Sequence, residues 1–420
     1  MQRDNSEVLI IGGGIIGLCV AYYLSKEGVS VSLLEEHAVG SQFSSSYGSI
    51  GLIVPSYSDP VATPEMLNQS LRWFFGANSP LYIKPQWNLD LFNWSLQFLM
   101  ACKKSRSTAA TPILHSWHKA SLKLYQQLCE DFSIDINFEQ KGGLFLYRNK
   151  QEWNHAVKSI SKNNKIDINS YVVERNKLLE LVPNLSSTVL GGVYHQDDAR
   201  IIPSAFLRSL VSKVKQEGVS VYEQTAVFDL CLEGSKISRV NSSQGVFRPK
   251  TVVMAAGFAS TMLLKSIGLK LPIQPAKGYS ITAKRKKECP DIPLHLHEGR
   301  VVITPFDSNL MRIGGTLELS GNDFTVSNKR LNGIYNVLPK YLSGLEDMEI
   351  VEIWRGMRPL SSDTLPIVGM SKKIENLVLA TGHGMIGISL APVTGKLVSH
   401  IILGKDIFLP LDLLHANRYI

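Results

Sequence analysis

Apolar positions along this chain come in blocks whose spacing switches between strand and helix. Val8-Leu9-Ile10-Ile11 is an unbroken apolar run that feeds a glycine-rich turn. Leu18, Ala21, Tyr22 and Leu24 then recur at helical spacing up to Gly28, and Val29 to Glu35 reads as a second strand. This predicts strand, turn, helix, strand. The segment Met66 to Arg106 is apolar and aromatic (Trp73, Phe74, Phe75, Trp87, Phe92, Trp94, Phe98) and ends on Lys103, Lys104 and Arg106. Aromatic residues at helical spacing read as buried helices of a substrate domain, with an interfacial patch leaning on a membrane as the alternative.

Thr111 to Phe132 has one apolar face and Pro112 near its start, which predicts a helix. From Gly142 the pattern becomes β-rich, broken by a helix from Pro203 to Gln216. Thr251 to Gly257 is again an apolar strand ending in small residues. A second β-rich block spans Leu271 to Leu319. Helices are expected at Ser327 to Val337 and from about Met385 to Leu403. No repeat, low-complexity tract or linker interrupts the chain. Two interleaved domains are therefore expected: residues 1–85, 196–270 and 355–420 in one, and 86–195 and 271–354 in the other.

Composition changes this picture little. The chain of 420 residues is 44% hydrophobic, enough for a sizeable core, and its net charge of +8 suits anionic ligands or lipid headgroups as well as an ordinary solvated surface. Cys19, Cys102, Cys129, Cys231 and Cys289 are scattered without a C-x-x-C, which fits reduced thiols and gives no metal site. His115 and His118 read as surface histidines, and His295 and His297 as non-ligands on a strand. The first apolar run is a strand rather than a signal peptide. The uncharged stretch Val378 to Gly395 is broken by Gly382, Gly384, Gly387 and Pro392, so it reads as strand, turn and helix rather than a membrane span. The expectation is a cytoplasmic protein, with peripheral contact at the inner face of the cell membrane left open and no nucleic-acid partner.

The chemistry begins at the first turn. Gly12, Gly14 and Gly17 match G-x-G-x-x-G, and Glu35, 18 residues beyond Gly17, ends the second strand with Glu36 beside it. Such a turn lets a pyrophosphate approach the backbone. The helix start at Ile15 and Ile16 offers N–H groups to phosphate, and Glu35 can accept ribose hydroxyls. The small-residue loop Ser41 to Gly51 allows backbone to lie close to a ligand.

These pieces, with Ala255-Ala256-Gly257, Gly356-x-Arg358-Pro359 and Thr381-Gly382-His383-Gly384-Met385-Ile386-Gly387 in the same order, resemble the D-amino-acid oxidase-like flavoproteins over nearly the whole chain. Lys277-Gly278-Tyr279-Ser280, Gly314 to Glu318 and Trp354 to Pro359 bring it nearest the bacterial D-amino-acid dehydrogenases. The resemblance implies an α/β fold: a Rossmann-like FAD-binding domain with an interleaved α+β substrate domain built on a mixed β-sheet. FAD is the implied cofactor. Ala226 and Val227 would meet its adenine end, and Ala255, Ala256 and Gly257 its pyrophosphate or ribose. Ser44, Ser45, Ser46, Gly51 and Leu52 would touch the flavin ring. Gly356, Gly382, Gly384, Met385, Ile386 and Gly387 would complete the site, with the last helix aimed at the flavin pyrimidine.

By the same resemblance Arg358 clamps the substrate carboxylate, for which a guanidinium fork is suited. Tyr279 is a second contact and His383 lies beside the flavin. Some relatives carry arginine just after the matching Gly-His. Here Gly384 and Met385 stand there, which places more weight on Arg358. The implied reaction is oxidative deamination of an amino acid, most simply a D-amino acid and D-proline-like substrates included, with electrons passed to a quinone or another non-oxygen acceptor. Two rival readings are a glycine- or sarcosine-type oxidase using oxygen and a dinucleotide-binding module without redox chemistry.

Overall fold

The computed structural model of the chain describes residues 6–64, 66, 81–84, 87–132, 136–165 and 167–420. Two sheets organise them. The first has six strands, in the order Ile367–Met370, Leu377–Thr381, Thr251–Met254, Val8–Ile11, Val31–Leu34 and Ser220–Tyr222, parallel except for the first pair. Strands Val8–Ile11, Val31–Leu34 and Leu377–Thr381 are buried at every position and mostly apolar because both faces are covered. Val8, Ile10, Leu33 and Val253 pack against helices. Leu9, Ile11, Val252 and Met254 pack on the other side with Leu230, Val240 and Phe247 of a three-stranded meander.

Helices Ile15–Lys26, Lys104–Phe132, Pro203–Gln216 and Gly387–Leu403 form the helical face. The second starts seven residues before its expected start at Thr111, so Pro112 lies inside it rather than at its first turn. The last also holds an internal proline, Pro392. Proline cannot donate to the carbonyl four residues back, here that of Ile388. That carbonyl accepts the hydroxyl of fully buried Tyr125 instead, at 2.6 Å. His115 and His118, expected on the surface, are buried on the same helix. His118 Nδ1 lies 2.7 Å from Ser389 Oγ, and burial pushes the His118 pKa down to about 3, so the ring is neutral. His118 thus meets the C-terminal helix, while His115 Nδ1 lies 3.3 Å from both Ser58 Oγ and the Pro55 carbonyl oxygen.

The second sheet is mixed and has nine strands. Its main path runs Ile350–Ser361, Ile273–Lys284, Leu310–Leu319, Val301–Pro305, Leu294–Leu296, Gly143–Tyr147, Gly191–His195 and Ser170–Glu174, and Leu81–Ile83 pairs with Leu310–Leu319. One face carries Ile281, Ile303, Ile313, Leu294 and Leu144 into a core with Leu331, Ile334, Leu338 and Tyr341. The other face looks into the space between the two sheets.

The aromatic segment divides. Trp73, Phe74 and Phe75 lie outside the described residues. In helix Leu89–Ala101, Leu91 and Trp94 are buried, whereas Trp87 just before it, Leu89, Phe92, Leu99 and Met100 are exposed. The expectation of buried helices holds for one side only. Among the described residues no helix is long and apolar enough to cross a membrane, and no group of His, Cys, Asp or Glu could hold a metal ion.

Tyr125→Phe should leave the Ile388 carbonyl buried without a partner. The cost should be about 1–3 kcal/mol, seen as a lower melting temperature and a lower denaturation midpoint. An unchanged midpoint would mean that another group satisfies that carbonyl.

Candidate active site

Between the two sheets lies a cavity of about 1420 Å³. One end is the first turn. Gly12 adopts φ +109°, and a Cβ there would stand 2.5 Å from the Ala255 carbonyl oxygen, while a Cβ on Gly17 would stand 2.0 Å from the oxygen of Gly12. The turn therefore closes only without side chains, and Gly17 serves packing from outside the cavity. Gly12, Gly14, Ile15 and Ile16 line the cavity. The helix N-cap is Gly14, which has no side chain to fill that end, and Ser46 Oγ accepts the Ile15 N–H at 3.1 Å.

Glu35 and Glu36 border the same end. The Glu35 carboxylate accepts the N–H of Gly13 at 2.7 Å and of His37 at 3.1 Å, one on each oxygen. Burial raises its pKa, and the two amides oppose that rise. A carboxylate can accept about four hydrogen bonds, so acceptor capacity remains for hydroxyls in the cavity. Thr225 and Val227 flank this end. Ala226, expected beside them, does not line the cavity. Its N–H and carbonyl are both turned to Ser243.

Ser44, Ser45 and Ser46 line the middle, with Leu52, Ala255, Ala256 and Gly257. Ser45 Oγ donates to the Met357 carbonyl at 2.5 Å, tying this loop to the large sheet. Buried Arg312 holds the loop as well, donating to the carbonyls of Tyr47 at 2.7 Å and Ser49 at 3.1 Å. Gly51 lies outside, packed on Ile201. The start of the C-terminal helix contributes Gly384, Met385, Ile386 and Gly387, while Gly382 packs behind them on Ile367. That helix also lacks a side-chain N-cap. Its free N–H groups favour negative charge in the cavity.

The large sheet provides the floor, and its register decides which residues reach it. Arg358 pairs with Ala276, Gly356 with Gly278, and Trp354 with Ser280. Paired residues point to the same face, and neighbours along a strand alternate. Arg358, Gly356 and Trp354 thus share the cavity face. Tyr279 pairs with Arg355 on the opposite face and does not line the cavity. It is fully buried in the helix-covered core, donates to Glu318 Oε2 at 3.0 Å and accepts the Ser327 N–H. The expected substrate contact at Tyr279 is corrected by that one-residue alternation.

Arg358 extends across Gly278, where an added Cβ would fall 1.7 Å from its Nη1. Nη1 donates to the Thr316 carbonyl at 3.3 Å. Thr316 sits at a β-bulge with φ +64°. Burial pushes the Arg358 pKa down to about 10, so the group is cationic at neutral pH. Among the described residues no carboxylate lies within ion-pair distance of it. His383 borders the cavity, but its Nε2 lies 3.0 Å from Thr394 Oγ1, and burial lowers its pKa to about 3. It is a neutral ring fixed to the C-terminal helix through Thr394.

Several lining residues carried no functional reading in the sequence. Tyr57, Phe145, Val302 and His295 form the far part of the floor and wall. The signal for His295 was its place between two leucines on a strand, which turns it away from their core. No pattern in the sequence says that this strand lies beside Gly143–Tyr147.

The glycine-rich cradle, two uncapped helix starts and a terminal acid fit a dinucleotide. The chain belongs to the FAD-dependent oxidoreductase family, whose model matches residues 7–401, and its cofactor is FAD. It is 28% identical to a D-amino acid dehydrogenase of Vibrio vulnificus over 405 residues, covering 95% of this chain and 96% of that one. A D-amino acid dehydrogenase of Granulibacter bethesdensis is 29% identical, with the same two coverages. Among solved structures, glycine oxidase from Bacillus cereus superposes with a TM-score of 0.76 at 26% identity over 96% of both chains.

Glu35→Ala should weaken FAD retention roughly tenfold or more, through lost ribose hydrogen bonds and two stranded amides. Titration of apoprotein with FAD measures it. Unchanged affinity would remove Glu35 from the cofactor site.

Proposed function

We propose that the protein oxidatively deaminates an amino acid, a D-amino acid in the first instance, and passes the electrons to a quinone or another non-oxygen acceptor. The observation that carries this reading is Arg358. The side chain is half-buried, and a cation facing a cavity with no described counter-ion in reach has room in its shell for an anion. Its guanidinium lies over a glycine floor inside the cavity, open to a carboxylate. The D-amino acid dehydrogenases among its relatives support an amino acid as the source of that carboxylate.

FAD, when bound, supplies the two-electron acceptor for the α-carbon. Gly12, Gly14, Ile16 and Glu35 would hold its nucleotide half, and the Ser44–Ser46 loop and the Gly384–Gly387 helix start would hold the flavin half. The protein's part in the chemistry is orientation. Among the described lining residues the only carboxylates are Glu35 and Glu36, at the nucleotide end, so no carboxylate base stands at the substrate end. Fixing the carboxylate in the Arg358 fork sets where the α-carbon lies.

The Arg358 variants test this reading. Removing a charge-assisted contact should weaken substrate binding roughly ten- to a hundredfold and lower kcat, with FAD content unchanged. Arg358→Lys should do nearly as badly as Arg358→Ala, because an ammonium lacks the fork. In the wild type, carboxylate affinity should stay level through neutral pH and fall as pH rises through about 10. Flavin reduction at the wild-type rate and affinity in Arg358→Ala would sink the assignment.

The acceptor reading is supported by helix Leu89–Ala101. Phe92 is 60% exposed and also lines the cavity, and Leu89, Leu96 and Met100 are exposed beside it. Lys103 and Lys104 follow, both exposed. An apolar helix side ending in cations suits the surface of an anionic bilayer. A lipid-dissolved quinone would then meet the cavity mouth. The protein should co-sediment with vesicles containing anionic lipid, and Leu96→Asp with Met100→Asp should abolish this while dye-linked turnover persists. Equal sedimentation of the double variant, or rapid peroxide release in air, would count against this route.

A further inference from the structure

The floor changes character with distance from Arg358. The guanidinium crosses Gly278 and reaches Thr316, so the carboxylate position lies above strands Ile273–Lys284 and Leu310–Leu319. Moving across the sheet from Gly314, the next residue in register is Val302, then His295, then Phe145. These residues line the cavity. Strands lie roughly 4.8 Å apart, so His295 stands about 10 Å across the sheet from Gly314. A leucine, phenylalanine or tryptophan side chain covers most of that span, and an alanine methyl does not.

The far side is built from flat rings. Phe145 and His295 stack with centroids 4.0 Å apart and planes 5° from parallel. Tyr57, from the loop after Leu52–Ile53, lies 6.3 Å from each and within 30° of both planes. Burial makes His295 neutral, with a pKa pushed down to about 3. Its buried Nε2 has no hydrogen-bond partner among the described residues, so the wall carries one open neutral polar position among its rings. No described carboxylate lines this end, and nothing there would balance an ammonium side chain. The cation nearest in register, Arg300, lies two residues from Val302 and makes an interaction of its own.

We infer that Phe145, His295 and Tyr57 form the side-chain subsite, and that the substrate is an amino acid with a large apolar or aromatic side chain. The inference rests on the reading of Arg358 as the carboxylate site. Stacked neutral rings reward apolar and aromatic surface and strip water from charged groups without compensation.

The test titrates the FAD-loaded enzyme with deaminated analogues and reads the flavin absorbance, without turnover. Phenylpropionate should bind at least roughly tenfold more tightly than propionate, glutarate or aminohexanoate. Phe145→Ala should lose most of that preference while propionate affinity holds. Tyr57→Ala, on a loop rather than in a sheet, serves as the second variant if Phe145→Ala folds poorly. Propionate, glutarate or aminohexanoate binding as tightly as phenylpropionate would overturn the subsite, and a glutarate preference would point to Arg300. Equal losses for all ligands in both variants would overturn it too. Both outcomes leave the Arg358 reading standing. If no carboxylate perturbs the flavin, the Arg358 reading fails and this inference fails with it.

Discussion

The structure depends on the two-residue alternation of one three-stranded unit: Ile350–Ser361 beside Ile273–Lys284 beside Leu310–Leu319. Its ladder pairs Gly356 with Gly278 and Ser280 with Gly314. That register sends Arg358 into the cavity and Tyr279 into the core behind it. A slip of one residue would exchange them, burying a guanidinium among leucines and isoleucines and exposing a core tyrosine. The apolar packing of Ile281 and Ile313 against Ile334 and Leu338 is what forbids the slip. Hydrophobic burial on one face thus fixes the electrostatics of the other.

The same strand is tied to the nucleotide side by direct bonds. Ser45 Oγ reaches Met357, the N–H of Gly384 reaches Pro359 at 2.9 Å, and Arg312 grips the carbonyls of Tyr47 and Ser49. Residues on either side of Arg358 are therefore held to the serine loop and to the start of the last helix. The indole of Trp354 fills the remaining gap, lying over Gly356 and against Gly48 while its Nε1 donates to Gln42. The positions expected to bind cofactor and substrate are set by one connected group of contacts.

Much of this was legible in the sequence, unevenly. The first strand, turn and helix follow from periodicity and glycine spacing, because the positive φ of Gly12 and the contact of Gly17 with Gly12 are local demands. Helix Pro203–Gln216 was legible to its ends, since an apolar face and an N-terminal proline are local signals. The start of helix Lys104–Phe132 was not, because Pro112 resembles a helix beginning. Strand facing was the larger gap. Tyr279 and Arg358 each looked suited to a carboxylate, and only a ladder between segments some eighty residues apart separates their faces. His115 and His118 misled for a related reason: polar residues read as surface when their partners, here Ser58 and Pro55 for His115 and Ser389 for His118, are remote in sequence.

The bulge at Thr316 sets how this family member can change over time. Arg358 docks on the carbonyl of Thr316, which lies where one strand carries an extra residue. Insertions or deletions between Leu310 and Leu319 would move that carbonyl and shift the pairing partners with it, whereas exchanges at Val302, His295 or Phe145 alter the floor without disturbing the ladder. With Arg358 read as the carboxylate site, substrate range would drift by point substitution on three neighbouring strands, while the anchoring would stay tied to strand length. On that reading a lineage built this way would diversify what it oxidises and still hold its substrates by the same end.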